Sequence, residues 1–89
     1  MEDFSEPTII LEYGQVELAR LLNELHIMMQ ALLPGGILRL VSEQVDSVWA
    51  IPAWCRKTGN KVIWHDVIRS CGREGSIVEY SFDIKRGYT

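Results

Sequence analysis

The sequence is short of the residues on which many small functional proteins depend. Its 89 residues include two cysteines, Cys55 and Cys71, and two histidines, His26 and His65. Two cysteines this far apart cannot build a disulfide framework, and the four potential ligands show none of the spacings typical of zinc sites. The sequence therefore predicts no metal site, and nothing in it indicates a bound cofactor.

Basic residues and long apolar runs are also scarce. Nine lysines and arginines are outnumbered by twelve acidic residues, which gives a formal net charge of −3. Because binding to a phosphate backbone usually needs a basic cluster, direct contact with nucleic acid is disfavoured. No apolar run approaches the ~20 residues of a membrane span, and the acidic residues 1–6 do not resemble a signal peptide. We expect a cytoplasmic protein without membrane contact.

The apolar residues that are present follow the periods of alternating strands and helices. A chain of this length can bury one two-layer core, so we expect a single domain at 7–87, with a disordered leader at 1–6 and a tail at 88–89. The predicted elements are a strand at 8–13, a helix at 15–33, a strand at 37–41, a helix from Val48 to a cap at Gly59, and strands at 61–68 and 77–84.

This βαβαββ order predicts a fold of the α+β class. Right-handed crossovers place both helices on one face of a four-stranded mixed sheet, which makes a two-layer α/β sandwich. The third strand alternates imperfectly, which indicates a bulge. The last strand alternates strictly, with Phe82 and Ile84 on an apolar face and Ser81 and Asp83 on a wet face. The first helix has more apolar surface than one sheet face needs, which favours contact with a partner protein or a second copy.

The stretch Ile51-Pro52-Ala53-Trp54-Cys55-Arg56-Lys57-Thr58-Gly59 predicts the body and end of the second helix. Its two cationic residues suit the negative end of the helix dipole, and its final glycine suits a left-handed cap. Pro52 predicts a kinked helix or one built of two pieces. The run resembles the second-helix signature of the TusA/SirA family of small sulfur-carrier proteins, roughly Asp-Ile-Pro-x-(Phe/Trp)-Cys followed by a helix-ending Gly. The order of elements fits that family over most of the chain.

Two features of the family are missing. Ala50 replaces the Asp of the signature. The family also has a Cys-Pro-x-Pro motif where the first strand leads into the first helix, and the helix amides activate the thiol there. Counting from Gly14 puts this cysteine at Glu17 or Leu18, and both prolines are absent. A carboxylate cannot carry sulfane sulfur, so we expect no catalytic residue at the family position.

The two cysteines elsewhere in the chain are candidate thiols. Cys55 matches a cysteine that the family often has in its second helix, and its apolar neighbours predict a buried, inert thiol. Cys71 is predicted in an exposed hairpin between Arg69 and Arg73. If the third strand runs parallel to the first, Cys71 should lie on the order of 10–15 Å from the vacant family position.

The resemblance implies a role in sulfur relay or sulfur metabolism. The missing cysteine favours a non-catalytic protein-binding or regulatory module rather than an enzyme, with a sulfur-transfer component as its partner. The candidate binding residues are Trp49, Trp64, Arg69 and Arg73, since surface aromatic and arginine side chains often anchor interfaces. The alternative is an active sulfur carrier that transfers persulfide sulfur through Cys71 or Cys55. An RNA-binding domain of the same topology is disfavoured by charge.

Overall fold

The computed structural model describes residues 7–72 and 75–87, so the expected leader at 1–6, the tail at 88–89 and Arg73 lie outside the described residues. The predicted order βαβαββ is confirmed. The elements are β1 (Ile9–Tyr13), α1 (Leu18–Gln30), β2 (Ile37–Ser42), α2 (Ser47–Thr58), β3 (Lys61–Gly72) and β4 (Gly75–Lys85).

The four strands form one mixed sheet in the order β1-β2-β4-β3. β1 and β2 are parallel, and β4 is antiparallel to both of its neighbours, β2 and β3. β3 therefore runs in the same direction as β1, but at the opposite edge of the sheet. Both helices pack on one face, so the predicted two-layer α+β fold is confirmed.

The core lies between this sheet face and the two helices. Leu21, Leu25 and Met29 of α1 follow the helical period and are buried, as are Ile51 and Cys55 of α2. Alternate residues of the two central strands complete the cluster: Leu38, Leu40, Phe82 and Ile84. The periods of the sequence thus identify most of the core, because each element buries one face.

The face of the sheet away from the helices is less wet than the alternation of β4 predicts. Ser81 is 2% exposed and Asp83 is 7% exposed, so the expectation of a wet face is wrong at both residues. Asp83 accepts two hydrogen bonds from Arg39 of β2, at 2.7 and 3.0 Å. The Arg39 guanidinium also lies 5.2 Å from the ring centroid of Trp64 on β3. Long side chains from both neighbouring strands therefore cover this part of β4.

Both strands of the final hairpin are longer than predicted, because their pairing continues through the glycine-containing stretch. β2 ends at Ser42, which pairs with Tyr80, and Tyr80 pairs with Val67. Beyond that level β3 and β4 continue as a two-stranded ribbon made of Ile68–Gly72 and Gly75–Glu79, which we call the arm. The predicted bulge is confirmed, since the register shifts between Val62 and Trp64.

The two helices differ from their predicted forms in detail. α1 is shorter than 15–33, because residues before Leu18 are held in a loop in which Gln44 Nε2 donates to the Val16 carbonyl at 3.1 Å. α2 is one continuous segment with Pro52 inside it, so a helix in two pieces is wrong. The predicted cap is confirmed: Gly59 has φ of 79° and follows the last turn. Within the part of the chain that the structure describes, neither helix has the length and apolarity needed to cross a membrane.

Candidate functional site

The leading end of α1 is the position at which the family resemblance places its sulfur-carrying cysteine. Glu17 is the N-cap residue, with φ of −57° and ψ of 140°, and its backbone carbonyl accepts from the Leu21 N–H at 3.0 Å. Its side chain is exposed and makes no capping hydrogen bond within the described residues. The amides of the first turn have no partner within the helix, as at any helix start. The electrostatic setting that would activate a thiol is thus present, with a carboxylate at the cap instead.

Loop contacts hold this leading end against the start of α2. Gln15 Nε2 donates to the Glu43 carbonyl at 3.3 Å, and Gln44 Nε2 donates to the Val16 carbonyl. The Glu43 N–H also donates to the Gly14 carbonyl at 3.4 Å. These bonds join the loop after β1 to the loop after β2, so the beginnings of the two helices are fixed next to each other.

The surface between the two helices contains an apolar groove of about 210 Å³. It starts at Leu18, the second of the two positions that the resemblance gives for the missing cysteine. We call it the helix groove, and its principal lining residues are Leu18, Leu22, Trp49, Ala53, Trp54 and Lys57. Trp49 is 62% exposed, and its Nε1 donates to Asp46 Oδ1 at 3.4 Å. The groove therefore brings the family position and one exposed aromatic residue together.

Cys55 lies in the core and not on the surface of the helix groove. Its side chain is 2% exposed, and burial raises the pKa of the thiol to about 12. A thiol with this pKa is protonated near pH 7 and is neither a nucleophile nor a sulfur acceptor. The burial predicted from its apolar neighbours is confirmed, and as a candidate thiol Cys55 is unsuited to sulfur transfer in the folded chain.

Cys71 is exposed and lies near the end of the arm. It pairs with Ser76, and the two side-chain atoms Sγ and Oγ are 3.8 Å apart. β3 lies three strand spacings from β1, about 14 Å, and Cys71 lies four residues, about 13 Å, past the level of Tyr13. β3 runs in the same direction as β1, which is the condition set for the estimate of about 10–15 Å, and the distance from Cys71 to Glu17 or Leu18 stays a prediction. In the plane of the sheet, Cys71 is roughly 19 Å from the end of β1.

The candidate binding residues do not form one surface. Arg69 lies on the arm, two residues from Cys71 and on the same face of β3. Trp64 is 43% exposed on the face away from the helices, whereas Trp49 lies on α2 in the helix layer. Arg73, the remaining candidate, is outside the described residues. The structure therefore separates Trp49 at the helix groove, Arg69 on the arm and Trp64 on the far face.

Sequence reasoning missed the contact of Arg39 with Asp83 and Trp64. Hydrogen bonds from Arg39 to the Asp83 carboxylate raise the pKa of the guanidinium, so the arginine stays charged. The signal in the sequence is a basic residue, Arg39, inside the apolar strand Ile37–Ser42 and an acidic residue, Asp83, between the apolar Phe82 and Ile84. Only the register of β2 against β4 shows that the two residues pair. Over residues 7–72 and 75–87, no group of three or more metal-ligating His, Cys, Asp or Glu side chains comes together.

Comparisons with known proteins leave the family open. No protein-family model matches the chain, and no curated protein matches it. The resemblance to the TusA/SirA family thus stays a prediction from the signature in α2 and the order of elements, and the confirmed fold is compatible with it.

Proposed function

We propose that this chain is a non-catalytic protein-binding or regulatory module of a cytoplasmic sulfur relay. It would use a TusA/SirA-like fold to contact a sulfur-transfer component without carrying sulfur at the family position. One observation carries the proposal: the first-turn amides of α1 have no partner within the helix, but Glu17 and Leu18 stand there in place of a thiol. Cys55, the cysteine inside α2, is buried in the core and protonated.

The helix groove is the surface that we assign to the partner. It begins at the end of the molecule that a carrier would present to its donor and acceptor proteins. Trp49 is a large, exposed aromatic residue at its border, and buried aromatic residues contribute much of the binding energy in many interfaces. A protein that recognises the start of α1 would therefore also cover Trp49.

The first experiment measures sulfur loading. The purified chain is incubated with a cysteine desulfurase and cysteine, and its intact mass is measured before and after reduction. We expect no stable gain of one sulfur atom. A reducible gain of one sulfur atom that is lost in the Cys71→Ser variant would refute the non-catalytic module and support the alternative below.

The second experiment measures binding to purified desulfurase and sulfur-carrier proteins by titration calorimetry. Trp49→Ala is expected to weaken binding by about tenfold or more, because it removes the aromatic anchor of the groove. Trp64→Ala is the matched control, since it removes an exposed tryptophan from the far face of the sheet. An equal loss of affinity in the two variants, or no binding by the unmodified chain, would count against the helix groove as the docking surface.

An active carrier that uses Cys71 is the second candidate function. It is favoured by the exposure of Cys71, which a donor protein could reach near the end of the arm. In such a carrier the Cys71 thiolate attacks the outer sulfur of a donor persulfide. A new S–S bond forms at Cys71, the donor S–S bond breaks, and the donor leaves as a thiolate.

A further inference from the structure

Over residues 7–72 and 75–87, the arm extends beyond the rest of the sheet, and neither of its two edges has a neighbouring strand. β2 stops at Ser42, level with Tyr80, so the arm consists of β3 and β4 alone over the described residues. A two-stranded ribbon is marginally stable by itself in water, whereas three or more strands with an apolar face are stable. The arm is therefore a part of the fold that would gain from additional strands.

Apolar side chains are exposed on the arm. Ile68 of β3 and Ile77 of β4 lie on the face away from the helices and are 42% and 49% exposed. Val67, at the base of the arm, is exposed on the other face. These side chains have the β-branched character that packs well between neighbouring strands.

The outer edge of β3 is open and regular from Trp64 onward. β3 is the last strand of the sheet in the described chain, so half of its backbone groups point away from β4. The Val67 N–H is one of these, because it donates to the Asp66 carboxylate at 2.9 Å. Outward groups alternate along a strand, so those of residues 65, 67, 69 and 71 face outward. Before Trp64, the bulge at Ile63 interrupts the edge, which is a common protection against pairing.

We propose that residues 64–72 of β3 pair antiparallel with the same residues of a second copy of this chain. The two-fold axis passes through Ile68 and is normal to the sheet. The two arms then form a continuous four-stranded sheet, β4-β3-β3-β4, and the hydrogen bond from Val67 to Asp66 is exchanged for one to the backbone of the second copy. This interface does not depend on the proposed function.

Charge and length along β3 both disfavour the neighbouring registers. In an antiparallel pair around a two-fold axis, residues equidistant from the axis lie opposite each other on one face. An axis at Asp66 or at Arg69 places two like charges directly opposite, which is destabilising. An axis at Val67 pairs only residues 64–70 with each other, so it leaves residues 71 and 72 of the regular edge without a partner.

An axis at Ile68 avoids both like-charge oppositions and uses the whole regular edge, residues 64–72. It places Asp66 opposite Ser70 and Val67 opposite Arg69. Residues 67 and 69 both have outward backbone groups, so they form a hydrogen-bonded pair, while the two Ile68 residues form the close, non-hydrogen-bonded pair on the axis. The β3 edges of two copies therefore match in charge, in hydrogen bonding and in length. For this reason we assign a second copy of the chain to this edge.

The first test is the association state of the full chain in sedimentation equilibrium. We expect a concentration-dependent dimer. Ile68→Lys puts two like charges opposite each other on the axis and should raise the dissociation constant by about tenfold or more. Ile77→Lys is the matched control, because it adds the same charge to the same face of the arm but on β4, and it should leave the dimer intact.

Circular dichroism of both variants shows whether they retain the fold. A monomer at every concentration, or equal weakening by the two lysine substitutions, would overturn the proposal. A chain that stays monomeric but binds an extended peptide along β3 would also overturn it, and would indicate a foreign strand as the occupant.

The second test locates the axis by disulfide formation. In a Cys71→Ser background, Ile68→Cys brings two cysteines to about 4.5 Å between Cα atoms, within the range that a disulfide needs. Mild oxidation should produce a covalent dimer on a non-reducing gel. The control is Glu79→Cys, which lies directly opposite Ile68 on β4 and is one strand further from the axis in each copy. Equal cross-linking of both variants would rule out the proposed register.

Discussion

At the scale of single residues, the two thiols of this chain have opposite environments. Cys55 is enclosed by the core between α2 and the sheet, and Cys71 is exposed on the arm. Their chemical accessibility therefore decides which of them can take part in any sulfur chemistry. Neither lies at the leading end of α1, where the family resemblance requires one.

We expect one thiol to react in the native protein and two in denaturant. With an aromatic disulfide reagent near pH 8, Cys71 should be modified quickly, because it is exposed, while Cys55 should react only on unfolding. Cys71→Ser should abolish the fast reaction and leave the slow one. If Cys55 reacts as fast as Cys71 in the folded chain, its burial in the core is contradicted.

Burial of Cys55 also predicts a dependence of stability on pH. Burial raises the pKa of the folded thiol from 9.0 to about 12. The neutral thiol is thus favoured in the folded state, and its contribution is fully present below pH 9. It is lost as the pH rises from 9 towards 12, because only the unfolded thiol ionises readily. Urea unfolding measures this dependence. Between pH 9 and 12, the free energy of unfolding should fall less in a Cys55→Ala variant than in the unmodified chain.

Arg39 is expected to stabilise the fold through Asp83. Arg39→Ala leaves a carboxylate with 7% exposure without its two hydrogen bonds. The free energy of unfolding should fall by about 1 to 2 kcal/mol. This is less than for a fully buried ion pair, because the arginine is partly exposed. Urea unfolding followed by tryptophan fluorescence measures it. Arg20→Ala, which breaks the exposed pair with Glu24, should have a much smaller effect, and similar effects would contradict the special role of Arg39.

At the scale of elements, α2 contains one residue that disfavours a helix, Pro52, and ends at one that suits a helix terminus, Gly59. Pro52 lies inside it and cannot donate to the carbonyl one turn earlier. Gly59 ends it in a left-handed conformation that other residues adopt at a cost. The persistence of the helix across Pro52 shows that packing of Ile51 and Cys55 against the sheet outweighs the missing bond.

Substitutions at these two residues should change stability in opposite directions. Pro52→Ala is expected to stabilise the chain by about 1 kcal/mol or more, since proline inside a helix is unfavourable relative to alanine. Gly59→Ala should destabilise it by about 1 to 2 kcal/mol, because φ is 79° there. Thermal unfolding measures both.

Gly14→Ala is the control for the glycine. The glycine has no left-handed conformation, and an added Cβ would make only ordinary contacts with Glu43. It should therefore have little effect on the melting temperature. If Gly14→Ala lowers the melting temperature as much as Gly59→Ala, the left-handed conformation of Gly59 is not the cause of the destabilisation.

At the scale of the whole molecule, the fold divides into a packed body and the arm. The body has two helices over the sheet, while the arm has neither a helix layer nor a third strand within the described chain. Local stability should follow this division, because it depends on buried apolar contacts and protected hydrogen bonds.

Hydrogen exchange should distinguish the packed body from the arm and should show whether the arm is protected when the chain dimerises. Amides of β2 are expected to exchange slowly, and amides of the arm are expected to exchange faster in dilute protein. At higher concentration, the amides of residues 67 and 69 should slow down, because the proposed dimer gives them backbone partners. Exchange at β4 residues of the arm should change less, and exchange independent of concentration throughout the arm would argue against dimerisation there.

The local pattern of residues was enough to predict the order of elements, the Gly59 cap, the bulge in β3 and most of the core. Each depends on neighbours within a few positions, where helical and strand periods are expressed. The absence of a thiol at Glu17 and Leu18 is likewise plain from the residues alone.

The tertiary structure decided the strand order, the burial of Asp83, the length of the arm and the distance of Cys71 from the end of β1. Each of these depends on which distant segments become neighbours. Asp83 shows the reason most clearly: its alternation indicates a wet face, and only the pairing of β4 with β2 and β3 brings Arg39 and Trp64 over it. Periodicity describes which side of a strand a residue is on, whereas burial depends on what the rest of the chain places against that side.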